Sequence, residues 1–413
     1  MNDVFFFGAG KADGSASHKN LLGGKGANLA EMTSLGIPVP PGFTISTDIC
    51  RYYMEKGAFP DDLESQIQNS LSQLENIMGQ QFGDAENPLL VSIRSGARQS
   101  MPGMMETILN VGLTSKTIPG LIEKSKDERF VYDAYRRLIT MYADVVMEKA
   151  AGIEPEKDGG IREKLDTIMD SLKHQEDAQA DGDLSAESLK ELCDIYKSTI
   201  KETLKNEFPD DAHTQLWGGI TAVFKSWNGK RAVSYRNIEN IPHHWGTAVN
   251  IQSMVFGNMG DDCATGVAFT RNPATGENNF YGEWLPNAQG EDVVAGLRTP
   301  NPLNHMGKTN ESGDNPGLDE VMPEIYDKLD VIQKQLESHY MDMQDIEFTI
   351  QNGRLWMLQT RVGKRNGAAA IRMAVDMVEE GLIDEKTALM RINSDHLDEI
   401  MHPMLDMEVE KQS

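Results

Sequence analysis

Carboxylate and amide side chains recur late in the chain in a pattern suited to a divalent cation. The run is Asp345-Ile346-Glu347-Phe348-Thr349-Ile350, then Gln351-Asn352-Gly353-Arg354, then Leu355-Trp356-Met357-Leu358-Gln359-Thr360-Arg361. Alternating apolar arms around Asn-Gly predict a β-hairpin. A two-residue Asn352-Gly353 turn would pair Gln351 with Arg354, set Glu347 opposite Leu358 and split the polar residues between faces. A three-residue loop with Gly353 as the left-handed bulge residue instead pairs Ile350 with Arg354. Asp345 then faces Gln359, Glu347 faces Met357, and Glu347 lies diagonal to Gln359 with Arg361 on the same face. The second register explains the polar face and is the expectation. Convergent carboxylate and amide oxygens suit Mg²⁺, which shares its shell with substrate phosphates. Alone, the same pattern reads as the wet side of an amphipathic hairpin.

Two earlier segments could hold phosphate. In Leu21-Leu22-Gly23-Gly24-Lys25-Gly26-Ala27-Asn28, glycines precede a helix whose amide N–H groups and dipole favour an anion, and Lys25 adds a full charge. The spacing is not that of a Walker loop, and by itself the segment also reads as a tight turn with a surface lysine. In Val91-Ser92-Ile93-Arg94, a strand leads into Arg94, whose guanidinium fork matches phosphate oxygens. The residues that follow are small and flexible, with Gly103 permitting close backbone approach and Thr107 offering a hydroxyl, so Ser95–Met105 is expected as a mobile closing loop. Its competing reading is a loose connection with methionines tucked into a core. Gln252, inside the apolar run Thr247–Val255, predicts a buried, hydrogen-bonded side chain.

The elements that must position these groups follow from periodicity. Gly36 stops a short helix from Ala27 to about Leu35, and Asp61–Met78 has helical apolar spacing. Leu89–Ile93 reads as a strand with Arg94 just beyond it. Residues 128–230 read as helical, with an acidic, solvated insertion over about Gly152–Asp183. Strands are predicted at Thr247–Phe256, Thr265–Thr270 and Asn279–Trp284, ahead of the hairpin. The tail carries short helices at Ala368–Glu380, Glu385–Ile392 and Asp395–Met401, and Asp384 is placed to cap the second.

Length and charge limit the function. A chain of 413 residues predicts two or three structural units. Its net charge of −25 repels nucleic acid and anionic lipid, so neither is an expected partner. A nucleotide site must reverse that field locally with scarce basic residues, amides and a cation. Three scattered cysteines, Cys50, Cys193 and Cys263, favour reduced thiols and a cytoplasmic location.

The segments LLGGKGANLAEM, LLVSIRSGARQSMPGMMETILN, GVAFTRNPATGE, NAQGEDVVAGLRTP and DIEFTI…LQTR, in this order over residues 20–361, resemble the N-terminal half of the pyruvate phosphate dikinase family. The resemblance implies an α+β, ATP-grasp fold holding ATP between two α+β subdomains, and phosphotransferase activity with paired acceptors. It assigns 1–362 to the nucleotide-binding domain, with 1–115 and 230–362 as core and 116–229 as a mainly helical part, and 363–413 to a helical linker. It also implies that Lys25 and Arg94 hold phosphates, that Gly103 and Thr107 belong to the closing loop, and that Gln252 lies near the nucleotide. Glu347 and Gln359 would bind Mg²⁺, with Asp345 beside them and Arg361 on the transferring group. Such a site needs no nucleophile of its own, because phosphoryl transfer is mostly positioning and charge neutralisation.

In that family the acceptor histidine lies in a Thr-Ser-His-Ala setting, and none of the nine histidines here has it. The expectation is therefore an ATP-binding donor that needs a phosphohistidine domain, in trans or on a C-terminal half, and that makes no phosphoenolpyruvate alone. A homodimer is left open. The alternatives are the related water dikinase, phosphoenolpyruvate synthase, and a regulatory module that binds nucleotide without catalysis.

Overall fold

The computed structural model describes residues 2–153, 155, 159–294, 298–308 and 315–401. Part of the NAQGEDVVAGLRTP segment and the end of the tail lie outside these. The chain divides into two compact units, Met1–Val255 and Phe256–Ser413.

The first unit is built on an antiparallel sheet. Its strands are β1 (Val4–Gly8), β2 (Lys11–Ala12), β3 (Gly42–Ile45), β6 (Val91–Ala97), β7 (Thr107–Val111) and β8 (Thr247–Ser253), in the order β2-β1-β3-β8-β6-β7. A separate parallel pair joins β4 (Gln81–Phe82) to β5 (Pro88–Leu89). Helix α1 (Lys19–Ser34) lies on one sheet face. The other face carries Ile93 and Ile108, and Gly219 of the helix Ala212–Ser226 lets that helix approach both. The expected helical region begins at Glu128–Tyr142, where the Asp127 carboxylate accepts from the Phe130 N–H at 2.9 Å and caps the first turn. Its stripe of Phe130, Tyr135, Leu138, Ile139 and Tyr142 is buried as the spacing requires.

Two expected boundaries move. Arg94 lies inside β6 rather than just beyond a strand, and the strand continues to Ala97. Helix α1 starts before the glycines rather than after them, and it breaks at Gly23, where φ is 66°.

The second unit holds a five-stranded antiparallel sheet. Its strands are β9 (Ala264–Phe269), β10 (Tyr281–Pro286), β11 (Asn301–Pro302), β12 (Gln344–Gln351) and β13 (Arg354–Val362), ordered β11-β10-β9-β12-β13. The helix Pro323–Tyr340 packs on β12 and β13. The tail helix Gly367–Glu379 buries Ala369, Met373 and Met377 against Met343 and Phe269. Gly381 follows it at φ 73°, and the Asp384 carboxylate caps the next helix by accepting from the Thr387 N–H at 2.7 Å, both as expected. No helix among the described residues is long and apolar enough to cross a membrane.

Candidate functional site

The first unit gathers its polar groups on the sheet face that α1 covers. Arg94 is opposite both Asn250 of β8 and Thr107 of β7, and Gln252 lies two residues along β8. Facing residues point to the same side, so Arg94, Thr107, Asn250 and Gln252 share one face. Gln252 is buried and its Nε2 donates to the Pro40 carbonyl at 3.0 Å, as expected for a polar group within an apolar strand. Asn250 is also buried. Its Oδ1 accepts from the Thr44 hydroxyl at 2.8 Å, which fixes the side chain between strands. Neither Thr44 nor Asn250 was singled out by sequence, although Asn250 shares the alternation that marks Gln252.

Two glycines flanking Lys25, Gly23 and Gly26, act first through packing. A Cβ on Gly23 would stand 1.8 Å from the Gly96 carbonyl oxygen of β6, and one on Gly26 would stand 2.7 Å from Asn250 Oδ1 and from Thr44 Oγ1. Gly23 thus docks α1 on β6, the strand that carries Arg94, and Gly26 docks it on β8 and β3. Gly24, with ordinary space beside it, precedes the half-buried Lys25 at the start of the helical segment after the break. The break in α1 thus falls at Gly23 alone, and Lys25 follows two residues later.

Gly103 lies apart, at the tip of the loop joining β6 to β7. Pro102 and Gly103 (φ 70°) are the central residues of a turn closed by the Met104 N–H donating to the Met101 carbonyl at 3.1 Å. The loop is shorter than expected, because Ser95–Ala97 belong to β6. Met101 is buried with Trp227, Ala232 and Ile241, and Met104 and Met105 pack against that cluster. The methionine-anchored alternative thus describes this loop's packing.

The second unit presents the carboxylate–amide set on its last two strands. The hairpin turn is the two-residue one: Gln351 pairs with Arg354, and Asn352 (φ 51°) and Gly353 (φ 66°) both take positive φ, as a type I′ turn requires. The expected register is therefore wrong at the turn, since Asn352 tolerates the left-handed region beside Gly353. The polar residues still share a face, because a bulge occurs further along. Phe348 faces Met357 but Glu347 faces Gln359, so Leu358 is an extra residue on β13. Asp345 accordingly faces Arg361, not Gln359.

The contacts match this register. Gln359 Nε2 donates to Glu347 Oε1 at 3.1 Å, and Arg361 Nε donates to Asp345 Oδ2 at 2.7 Å. Asp345 is only 8% exposed, and this desolvation pushes its carboxyl above the ordinary value; Arg361 opposes the shift and the Glu347 charge adds to it. Glu347 Oε2 and Gln359 Oε1 are hard oxygen donors, and Mg²⁺ completes its shell with water and substrate phosphate, so the residues fit that ion once the amide presents its oxygen. Among the described residues no cluster of three or more His, Cys, Asp or Glu side chains could hold a metal by itself.

Behind this sheet runs a buried polar column that sequence reading missed. Arg271, 1% exposed, donates to Glu337 from Nη2 at 2.8 Å and to Glu380 from Nη1 at 3.1 Å. The Thr270 hydroxyl donates to Glu337 Oε2 at 2.6 Å and accepts from the Gln344 N–H at 3.0 Å. This ties the start of β12, one residue before Asp345, to two helices. Its only sequence signal was an arginine directly after an apolar strand.

The mixed helix and sheet architecture is consistent with what comparison with other proteins gives. The family model described as pyruvate phosphate dikinase, AMP/ATP-binding domain, matches residues 19–69, 54–322 and 319–382. The pyruvate, phosphate dikinase of Rhizobium meliloti (strain 1021) is 51% identical over 404 residues, covering 98% of this chain and 44% of the relative. That of Clostridium symbiosum is 48% identical over 393 residues, covering 95% and 42%. The chloroplastic pyruvate, phosphate dikinase 1 of Zea mays is 48% identical over 404 residues, covering 98% and 40%. The chain spans less than half the length of these relatives, matching their N-terminal part. With its mixed helix and sheet architecture and nearly full coverage by these matches, the chain belongs to the pyruvate phosphate dikinase AMP/ATP-binding domain family.

Proposed function

We propose that this chain binds Mg-ATP and donates the β,γ-pyrophosphoryl group to a histidine on a separate phosphohistidine domain. In this reading residues 1–362 form the nucleotide-binding part and 363–413 a linker. The complete reaction is the conversion of ATP, phosphate and pyruvate to AMP, pyrophosphate and phosphoenolpyruvate. The observation that carries the proposal is the side-by-side pairing of Glu347 with Gln359 and of Asp345 with Arg361 on one strand pair.

Lys25 and Arg94 supply the positive charge that a polyphosphate needs on a protein of net charge −25. Thr107, opposite Arg94, offers a hydroxyl, and Gly103 offers backbone without a side chain. Gln252 and Asn250 keep the strand under them rigid. Arg361 is 42% exposed at its side chain, so its guanidinium can turn from Asp345 toward a transferring phosphoryl group. Mg²⁺ held by Glu347 and Gln359 would neutralise developing charge on the phosphates. The three cysteines are buried and free, which suits a cytoplasmic setting.

The test is transfer to a supplied histidine domain from a family member. With ATP labelled in the terminal phosphates and Mg²⁺ present, acid-labile label should appear on that domain. Arg94→Ala or Arg361→Ala should slow its appearance by about 10³-fold or more. Nucleotide binding without any transfer would instead favour a non-catalytic module. Label on a histidine of this chain itself would overturn the proposal.

A further inference from the structure

The loop between β6 and β7 is held by methionine packing together with the Arg98 guanidinium over the Trp245 ring and the Glu106–Lys149 ion pair. Met101 is 7% exposed within a cluster of Trp227, Ala232 and Ile241, and the half-buried Met104 and Met105 pack against the same surface. Tyr235 and Trp245 border it. Thioethers make favourable contacts with aromatic edges and fill irregular gaps, so three methionines around one Pro-Gly turn form an adaptable anchor. Oxidation turns each such side chain into a polar, chiral sulfoxide that this surface cannot solvate.

We propose that Met104 and Met105 form a reversible oxidation site whose sulfoxides release the β6–β7 loop from the Trp227 surface. The oxidant is a peroxide: its oxygen is transferred to the thioether sulfur, the O–O bond breaks, sulfur loses two electrons and water leaves. Methionine sulfoxide reductases reverse the step. The cysteines do not compete. Burial pushes the Cys50 thiol up to about 11 and the Cys193 thiol up to about 12, and it raises Cys263, so little reactive thiolate forms near neutral pH. Methionines elsewhere act as internal controls. Met32 and Met343 are fully buried, whereas Met390 and Met401 are 79% and 82% exposed. The consequence for nucleotide rests on the function proposed above, in which Gly103 and Thr107 border the phosphates.

The full chain is treated with hydrogen peroxide, sulfoxides are mapped by mass spectrometry, and amide hydrogen exchange is followed in peptides spanning residues 98–106. Sulfoxide at Met104 and Met105 should accompany about tenfold faster exchange there, restored by the two methionine sulfoxide reductases. The Met104→Leu/Met105→Leu double variant, nearly volume-conserving, should show no such rise. Oxidation of both methionines with unchanged exchange, or an equal rise in the double variant, would overturn the proposal. Mg-ATP affinity measured on the same samples separates the two ideas. Faster loop exchange with affinity about tenfold lower supports both. Faster exchange with unchanged affinity keeps the oxidation site and removes the loop from the nucleotide site.

Discussion

Glu347 and Gln359 face each other across β12 and β13, joined at 3.1 Å, because Leu358 is an extra residue on β13. Without that bulge, the two-residue turn would place them on opposite faces of the sheet. A single local irregularity therefore brings a carboxylate and an amide together, and it carries the metal-site argument.

Glu347→Gln and Gln359→Ala should each weaken Mg-ATP binding about tenfold or more, the size seen when metal-supporting ligands are lost. In EDTA the loss should largely vanish. Titration calorimetry with and without Mg²⁺ checks this. Equal weakening in both conditions would mean that neither residue is a ligand.

Asp345 has a folded-state pKa raised above its unfolded value, chiefly by burial. The folded chain therefore holds a proton that the unfolded chain has lost, and stability from this group is full below the unfolded value of 3.8 and fades as pH rises through the folded value. Asp345→Asn removes this dependence. The urea midpoint difference between variant and wild type should shift in the variant's favour as pH rises through that window. A shift the other way would show that Arg361 outweighs desolvation.

The glycines near Lys25 should behave unequally. Gly23→Ala forces a Cβ onto the Gly96 carbonyl oxygen and should cost about 3 kcal/mol or more, or prevent folding. Gly24→Ala meets its nearest atom at 3.6 Å and should stay within about 1 kcal/mol. Denaturant unfolding compares them; similar values would contradict the packing role assigned to Gly23.

Gly353→Ala tests the turn. Nothing lies within 4 Å of the added Cβ, so the penalty is the left-handed backbone alone, about 1–2 kcal/mol. A neutral or stabilising result in urea would place Gly353 outside the left-handed region and undo the type I′ assignment.

Arg271→Met should destabilise the chain by about 3–5 kcal/mol, chiefly because it leaves the buried Glu337 carboxylate without its cation, whereas the more exposed Glu380 keeps Asn278 and solvent. Replacing the buried pair Arg271 and Glu337 together by apolar residues should recover much of that loss. A single variant with an unchanged melting temperature would remove the column from the account of how β12 is placed.

The sequence by itself determined which chemistry was available. Scarce cations beside glycines, a strand-borne arginine, and alternating carboxylates around Asn352-Gly353 are properties of composition and period, and local backbone preferences make them legible. Gly381 and Asp384 ended and began their helices as their residue types require. The tertiary structure alone decided the rest. Whether Gly23 is a phosphate turn or a helix–sheet contact depends on a carbonyl oxygen at Gly96, more than seventy residues away, and no local pattern reports that distance. The loop methionines are anchors because Trp227 and Ile241 arrive from a distant helical region. The position of the hairpin bulge shows only in the pairing of the two strands, where Leu358 has no residue opposite it. Either turn length satisfies the local rules, so only the paired strands fix that Glu347 meets Gln359 and Asp345 meets Arg361.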